Sequence, residues 1–418
     1  MSSIPLSAAA KAAAKSSTIL TAIPTSFQPR QSFEVSTSIT RSYFLGHHHA
    51  ALTRMRTALS NVGLIIECRD FRVPITSWNP LLEQSLVSTS ARSGTRSRII
   101  VYTHRDLTPD HLSPNALSSP TSLHKQKSSA VINNLKDFHD SHPADTAVLF
   151  LGQSHGHHSR GGGGRSSSNY SLEPLLKSIK QVAKNLDSLT GLRAMVVGMP
   201  NAGKSTLLNR LRSKAMNLPK AAKTGSEPGV TRKLGTPVRI FPGEDHANGE
   251  PGMGEGVFLV DTPGVFIPYV SDPESMLKLS LVGCVKDGVV SSVTVADYLL
   301  YHLNLAGPEV YMSRFEMDQP TNDVHEFLRG AAKRTGKLKR SGDLSLEGAA
   351  DWVVQEWRKG GLGKMFLDEV TAETLELATE AAKEPTMSMN QARKKDKVAR
   401  KEKNEAKRAA AGNAEVVV

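Results

Sequence analysis

The 418-residue chain has only two cysteines, Cys68 and Cys284, and no Cys-x-x-Cys pair. That excludes a disulfide scaffold and a zinc ribbon, and makes a reducing compartment the simplest setting. No apolar run approaches the roughly 18–20 residues a membrane-crossing helix needs, so any membrane association is expected to be peripheral. Acid is scarce in the first 60 residues, where Glu34 stands alone against Lys11, Lys15, Arg30, Arg41, Arg54 and Arg56. With the Ala-, Ser- and Thr-rich stretch before Arg41, this reads as a mitochondrial or plastid transit peptide, or as an ordinary basic leader.

Positive charge is in excess. The net charge of +12 and pI near 9.6 favour a polyanionic partner such as RNA or an anionic membrane surface. Part of the excess sits in the tail, where Gln391–Arg408 holds nine Lys/Arg against three Asp/Glu.

Short β-branched and apolar runs occur at Val62–Cys68, Arg98–Tyr102, Ala147–Leu151, Arg193–Val197, Pro237–Phe241 and Val257–Val260. Helix-like segments lie between several of them, such as Pro174–Leu186 with Leu175, Leu176, Ile179 and Val182 on one face. Six such strands predict a doubly wound α/β sheet, with ligand at the carboxyl ends of the strands. Thr108–Ser129 and Gly152–Asn169, rich in Ser, His, Pro or Gly, read as solvated loop insertions. Beyond Asp318 the pattern turns helical, over Asn322–Arg334, Leu346–Arg358 and Met365–Glu380. The Ala- and Lys-rich tail from Glu384 is expected to be disordered or to fold on a partner.

The strongest motif is Gly198-Met199-Pro200-Asn201-Ala202-Gly203-Lys204-Ser205-Thr206, a complete phosphate-binding P-loop after a strand and before a helix. Backbone N–H groups of the loop suit phosphate oxygens, and the helix N-terminus adds a favourable dipole. Lys204 is the candidate for the β- and γ-phosphates and Ser205 for Mg²⁺. Downstream, Gly229-Val230-Thr231 offers a switch threonine for Mg²⁺. Asp261-Thr262-Pro263-Gly264 offers a carboxylate for the metal and a Gly264 N–H for the γ-phosphate.

Two usual features are missing. No Asn-Lys-x-Asp follows Gly264; a variant stands upstream instead, as Thr103-His104-Arg105-Asp106. Asp106 keeps the carboxylate that reads guanine N1–H and the exocyclic amine, although a helix cap is an alternative role. Gly152-Gln153-Ser154 is a candidate contact to guanine O6. Nor does a glutamine follow the Asp-x-x-Gly motif; Val265 stands there and cannot hydrogen-bond the attacking water.

A base-reading motif ahead of the P-loop is circularly permuted order, and the chain resembles the circularly permuted GTPases of the bacterial ribosome biogenesis GTPase A type, most closely their mitochondrial ribosome-associated members. The resemblance runs from about Tyr43 to Val370. Tyr43-Phe44-Leu45-Gly46-His47 is similar to the family's Phe-Pro-Gly-His-Met element. Glu67-Cys68-Arg69-Asp70-Phe71-Arg72-Val73-Pro74 with Asn79-Pro80 is similar to its Asp-Ala-Arg-x-Pro…Asn-Pro signature. Phe327–Lys364, with Arg334-Thr335-Gly336 and Trp357-Arg358-Lys359-Gly360-Gly361-Leu362-Gly363-Lys364, is similar to its helical domain.

The resemblance implies GTP and Mg²⁺ as cofactors, K⁺ beside Asn201, and His47 in place of the missing glutamine. It implies a low intrinsic GTPase rate stimulated by the mitochondrial large ribosomal subunit and its rRNA, on the matrix side of the inner membrane. The expected layout is a leader at 1–40, a permuted GTPase domain at 41–318 with insertions near 108–129 and 152–169, a helical RNA-binding domain at 319–380 and a basic tail at 381–418. Two alternatives stay open: a non-catalytic rRNA scaffold holding GTP as a structural ligand, and the same enzyme class in a cytosolic or nucleolar pathway.

Overall fold

Side chains alternate faces along a strand, so a central parallel strand covered on both sides must be apolar at nearly every position. Leu64–Asp70 (β1) is buried at all seven positions yet apolar only at Leu64, Ile65, Ile66 and Cys68, so its charged residues Glu67, Arg69 and Asp70 must be paired inside the fold. The computed structural model describes residues 27–36, 39, 53, 55–82, 84–85, 96–112, 117, 119, 122–141, 147–152, 172–222, 235–246, 249–265, 270, 272–383, 391, 394, 397–398 and 401. After β1 come Ser97–Thr103 (β2), Ser128–Asp140 (α1), Ala147–Phe150 (β3), Glu173–Leu186 (α2), Leu192–Gly198 (β4), Lys204–Met216 (α3), Val238–Phe241 (β5) and Val257–Asp261 (β6). Each strand lies where its apolar run predicts it. The sheet order is β3-β2-β1-β4-β6-β5, parallel except for β5 against β6.

The chain steps outward from β1 through β2 to β3 and then returns to β1's other side with β4. The strand order therefore reverses between β1 and β4, where such sheets open a crevice for ligand. Register aligns the strand ends along this edge: Asp70 pairs with Thr103, Cys68 with Gly198, and Val196 with Asp261.

One face of the sheet buries Leu64, Ile66, Ile99, Val101, Ala194 and Val196 under the apolar stripes of α2 and α3. On the other face, Ile65, Met195 and Val197 pack with Met55, Leu59 and Leu82, while Ile100 and Tyr102 pack with Val131 and Leu135 of α1. Between those two clusters lies a buried ionic triad. Glu67 accepts from Arg69 Nε at 2.6 Å and from Arg98 Nε at 3.1 Å, and Trp78 lies 4.8 Å from the Arg69 guanidinium. Burial alone would raise the Glu67 carboxyl, but the two arginines outweigh it and hold the group down at about 2.

The remaining helices are Pro273–Val282 (α4), Ser292–Ala306 (α5), Glu309–Phe315 (α6), Val324–Thr335 (α7), Leu346–Arg358 (α8) and Ala372–Lys383 (α9). α5 is apolar nearly all round and forms the centre of a bundle with α4, α7 and α8. The expected boundary at residue 318 falls inside this one hydrophobic cluster, which joins Leu277 and Leu299 to Phe327 and Trp357.

Three expectations differ from the structure. The run expected as helix from Met365 begins its helix only at Ala372. Before it, Phe366 and Leu367 are buried, and Asp368 accepts from the backbone N–H groups of Ile75 and Thr76 at 2.9 and 2.7 Å. Those anchors hold the segment across the α/β body, where helical curvature would withdraw them. The 108–129 insertion is also partly packed, with His124 buried against His302 at 3.1 Å. Finally, part of the expected leader is folded: Arg30 pairs with Asp297 at 2.6 Å, and the Phe33 ring lies 5.2 Å from that of Tyr298 on α5. No described helix is long and apolar enough to cross a membrane.

Candidate functional site

The P-loop leaves β4 at Gly198, whose φ of 139° and tightly packed Cα leave no room for a side chain. A Cβ there would lie 2.2 Å from the Cys68 carbonyl oxygen on β1. Asn201 and Gly203 both adopt positive φ, 55° and 79°, which curls the loop before α3 starts at Lys204. The Lys204 ammonium donates to the Met199 carbonyl at 2.6 Å, crossing the mouth of the loop with two further donors. Burial lowers its pKa, and the Asp261 carboxylate opposes that.

Ser205 donates to Asp261 Oδ2 at 2.6 Å, bringing together two of the residues expected at Mg²⁺. Hydroxyl and carboxylate oxygens are the hard donors this ion takes, so the pair fits it. Thr262 ties its loop to β4 by donating to the Val196 carbonyl at 2.7 Å. Gly264 packs against the P-loop so closely that a Cβ would lie 2.6 Å from Pro200 N. Thr206 follows Ser205 on the first turn of α3.

The loop expected to read the base reaches the P-loop through Thr103. Its hydroxyl lies 3.1 Å from the Arg69 carbonyl oxygen and 3.2 Å from that of Ala202. Expected to serve nucleotide directly, Thr103 thus also joins the two loops. His104 takes a left-handed φ of 60°, and its Nδ1 sits 3.2 Å from Asp70 Oδ2. Asp70 is itself gripped by Arg72 at 2.7 and 3.0 Å; burial would raise its carboxyl, but Arg72 and His104 hold it well below the usual carboxylate range. Arg105 N–H donates to the Leu151 carbonyl at 3.2 Å, and Asp106 is buried on the short turn that follows. Arg210 of α3 donates to Gly152 O at 3.0 Å and feels the Asp106 charge, so this turn, the Gly152 loop and the phosphate-binding helix lie together. His47 and Thr231 lie outside the described residues.

Val265 is buried in the cluster of Met195, Val197 and Leu82, with its own N–H on the Gly198 carbonyl. Its side chain faces the core and can position no water.

This arrangement can be set beside known proteins. A family model described as 50S ribosome-binding GTPase matches residues 193–329. Mitochondrial GTPase 1 of Schizosaccharomyces pombe is 34% identical over 344 residues, which cover 82% of this chain and 94% of that protein. The chain belongs to the mitochondrial GTPase 1 family. Mitochondrial ribosome-associated GTPase 1 of Xenopus tropicalis is 28% identical over 81% of this chain and 98% of its own length. Among solved structures, GNP-bound YlqF from T. maritima aligns with 77% of this chain at 17% identity and a TM-score of 0.40. Membership makes the protein a GTPase, and its nucleotide a guanine nucleotide.

Some residues of this GTPase site carry no sequence signal of their role. Asn79 donates to the Val265 carbonyl at 2.8 Å, so the Asn79-Pro80 element props the loop after Asp261. Asn201, read as a K⁺ ligand, donates its amide to the Gly283 carbonyl at 2.8 Å. Burial pushes both cysteine thiols up to about 12, so neither is a nucleophile.

Proposed function

We propose that this GTPase hydrolyses GTP with Mg²⁺ in the mitochondrion and that the mitochondrial large ribosomal subunit, through its rRNA, stimulates it. The observation that carries the catalytic part is the Ser205–Asp261 contact at 2.6 Å beside the buried Lys204. These three residues would hold Mg²⁺ and the β- and γ-phosphates, with Thr231 completing the metal's ligands. Mg²⁺, when bound, would neutralise the charge that develops on the phosphate oxygens. The Gly264 N–H and the P-loop amides would orient the γ-phosphate for in-line attack by water, releasing GDP and phosphate. Asp106 would select guanine, with Thr103, His104 and Arg105 shaping its loop and Asn201, Ala202, Gly203 and Thr206 completing the phosphate cradle.

Burial of Val265 supports a low intrinsic rate, with His47 as the water-positioning group in the complex with the partner. K⁺ beside Asn201 is a further proposed cofactor; hydrolysis should run faster in KCl than in NaCl, and equal rates would remove this cation.

The ribosomal partner is supported by the relatives' names and by a basic surface at the end of α7. Lys333, Arg334, Lys337, Lys339 and Arg340 fall within eight positions. Leu338 and Leu344 bridge there, closing a tight hairpin that presents Lys339 and Arg340 to solvent. Membrane contact, on the matrix side of the inner membrane, would be peripheral. The test is steady-state GTPase activity against titrated mitochondrial large subunits, with small subunits as control. Stimulation by the large subunit alone is expected; none from either would overturn the partner.

A further inference from the structure

The last carbonyls of an α-helix have no partner within the helix, and they form the negative end of its dipole. At the end of α4 they are met by three side chains from distant parts of the chain. Arg358 of α8 donates to Ser280 O at 2.7 Å and to Leu281 O at 3.0 Å. Arg72, just beyond β1, reaches Val282 O at 3.4 Å. Asn201 of the P-loop donates to Gly283 O at 2.8 Å. Gly283 holds a positive φ of 86°, and a Cβ there would come within 3.2 Å of the Arg358 guanidinium carbon.

Each contact has a second attachment. Arg358 is paired with Asp287 at 3.0 Å, while its neighbour Trp357 lies buried 5.1 Å from the Arg72 guanidinium. Arg72 also grips Asp70, which holds His104 of the base-reading loop. At its other end α4 starts nine residues after Gly264, and its N-cap Asp272 accepts from Glu274 N and Ser275 N at 3.1 and 2.8 Å. α4 therefore follows in sequence the loop that would face the γ-phosphate and ends at a point touched by the P-loop, the β1 signature and the helical bundle. Asn201 and the Arg358 guanidinium thus meet the same residue, Asn201 at the Gly283 carbonyl and Arg358 beside its Cα.

We propose that the carboxyl end of α4 is a coupling junction, with Arg358 as the positioning residue through which nucleotide on the P-loop sets the placement of α8. The inference rests on the nucleotide reading above and extends it to residues that touch no nucleotide. Coupling between two sites is reciprocal, so loosening α8 must alter nucleotide affinity.

Fluorescent GDP titrated onto the full-length protein tests this, using wild type, Asn201→Ala, Arg358→Ala and the double variant. Arg358→Ala is expected to weaken GDP about fivefold, and the double variant to bind no more weakly than the weaker single one, because residues coupled through a shared stretch of backbone are not additive. Arg358→Lys, keeping the charge but not the planar fork that reaches two carbonyls at once, should recover part of the loss. Hydrogen exchange at saturating GDP supplies the second readout. GDP should slow exchange across residues 346–358 in wild type but not in Asn201→Ala or Arg358→Ala, while residues 204–216 remain protected in all three. Additive affinities, or a wild-type exchange response of α8 in either variant, would overturn the junction. Failure of wild type to bind GDP at all would instead overturn the nucleotide reading beneath it.

Discussion

Asp106, on the turn after β2, and Glu67, in the middle of β1, are both buried carboxylates, yet their roles separate by neighbour. Asp106 sits next to α3, where its carboxylate would complement guanine's N1–H and amine. A charge-assisted hydrogen bond is worth about 1.5–3 kcal/mol. Asp106→Asn should therefore weaken GTP on the order of tenfold or more and improve tolerance of xanthine nucleotides, as read by competition binding; unchanged preference for guanine would remove Asp106 from base reading. Glu67 balances Arg69 and Arg98 inside the fold. Glu67→Gln leaves two buried cations without a counter-charge, which costs about 3–5 kcal/mol. Urea unfolding should show that loss.

The short turn Ser122–Lys125 docks on α5 through the His124–His302 pair. Burial lowers the His124 pKa to about 4, and burial with His124 and Lys278 nearby holds His302 well below its ordinary value. An unfolded histidine titrates near 6.5, so between about pH 6.5 and 4 the unfolded chain binds protons that the native pair refuses. Stability must then fall as pH drops through 6.5, with His124's share of the loss complete near 4. Glu67, whose folded value is about 2, loses its contribution only at lower pH. Melting temperature from pH 7.5 to 5 should decline in wild type and less steeply in His124→Gln; parallel curves would refute the histidine origin. At the other end of the bundle, α7 closes on Gly336 and runs into the basic hairpin. Reversing Arg334 and Lys337 to Glu should abolish stimulation by large subunits and leave basal nucleotide affinity unchanged, since neither residue lies in a nucleotide motif. Wild-type stimulation of that variant would exclude this surface, whose contribution should weaken with salt as counterions compete.

Across the whole molecule, the segment from Gln28 to Val35 closes the bundle from outside. Arg30 reaches Asp297, the Phe33 ring packs on Tyr298 and Tyr301, and Asn322 donates to Gln28 O at 2.9 Å. A protein beginning at residue 41 should melt below one beginning at residue 27, because it loses an aromatic anchor worth roughly 1.5–3 kcal/mol. Equal melting of the two would show that the docking adds no stability.

The sequence by itself determined the six strands, the P-loop and the permuted motif order. Those features depend on local periodicity and on spacings that backbone geometry enforces within a few residues. It also marked Asp261 and Ser205 as partners, because a P-loop serine and a strand-end aspartate have few other uses. Only the tertiary structure decided that Asn201 caps α4, that Asn79 props Val265, and that Arg72 and Arg358 meet at one helix end. Those contacts join residues 82, 186 and 210 positions apart for the first three pairs, and 77 or 78 for Arg358. No period or motif encodes such pairs, because each donor finds its carbonyl only after the helix that carries it has packed. The same reason explains Met365–Val370, where helical composition yielded to anchors on Thr76 and Ile75 that pattern alone does not reveal.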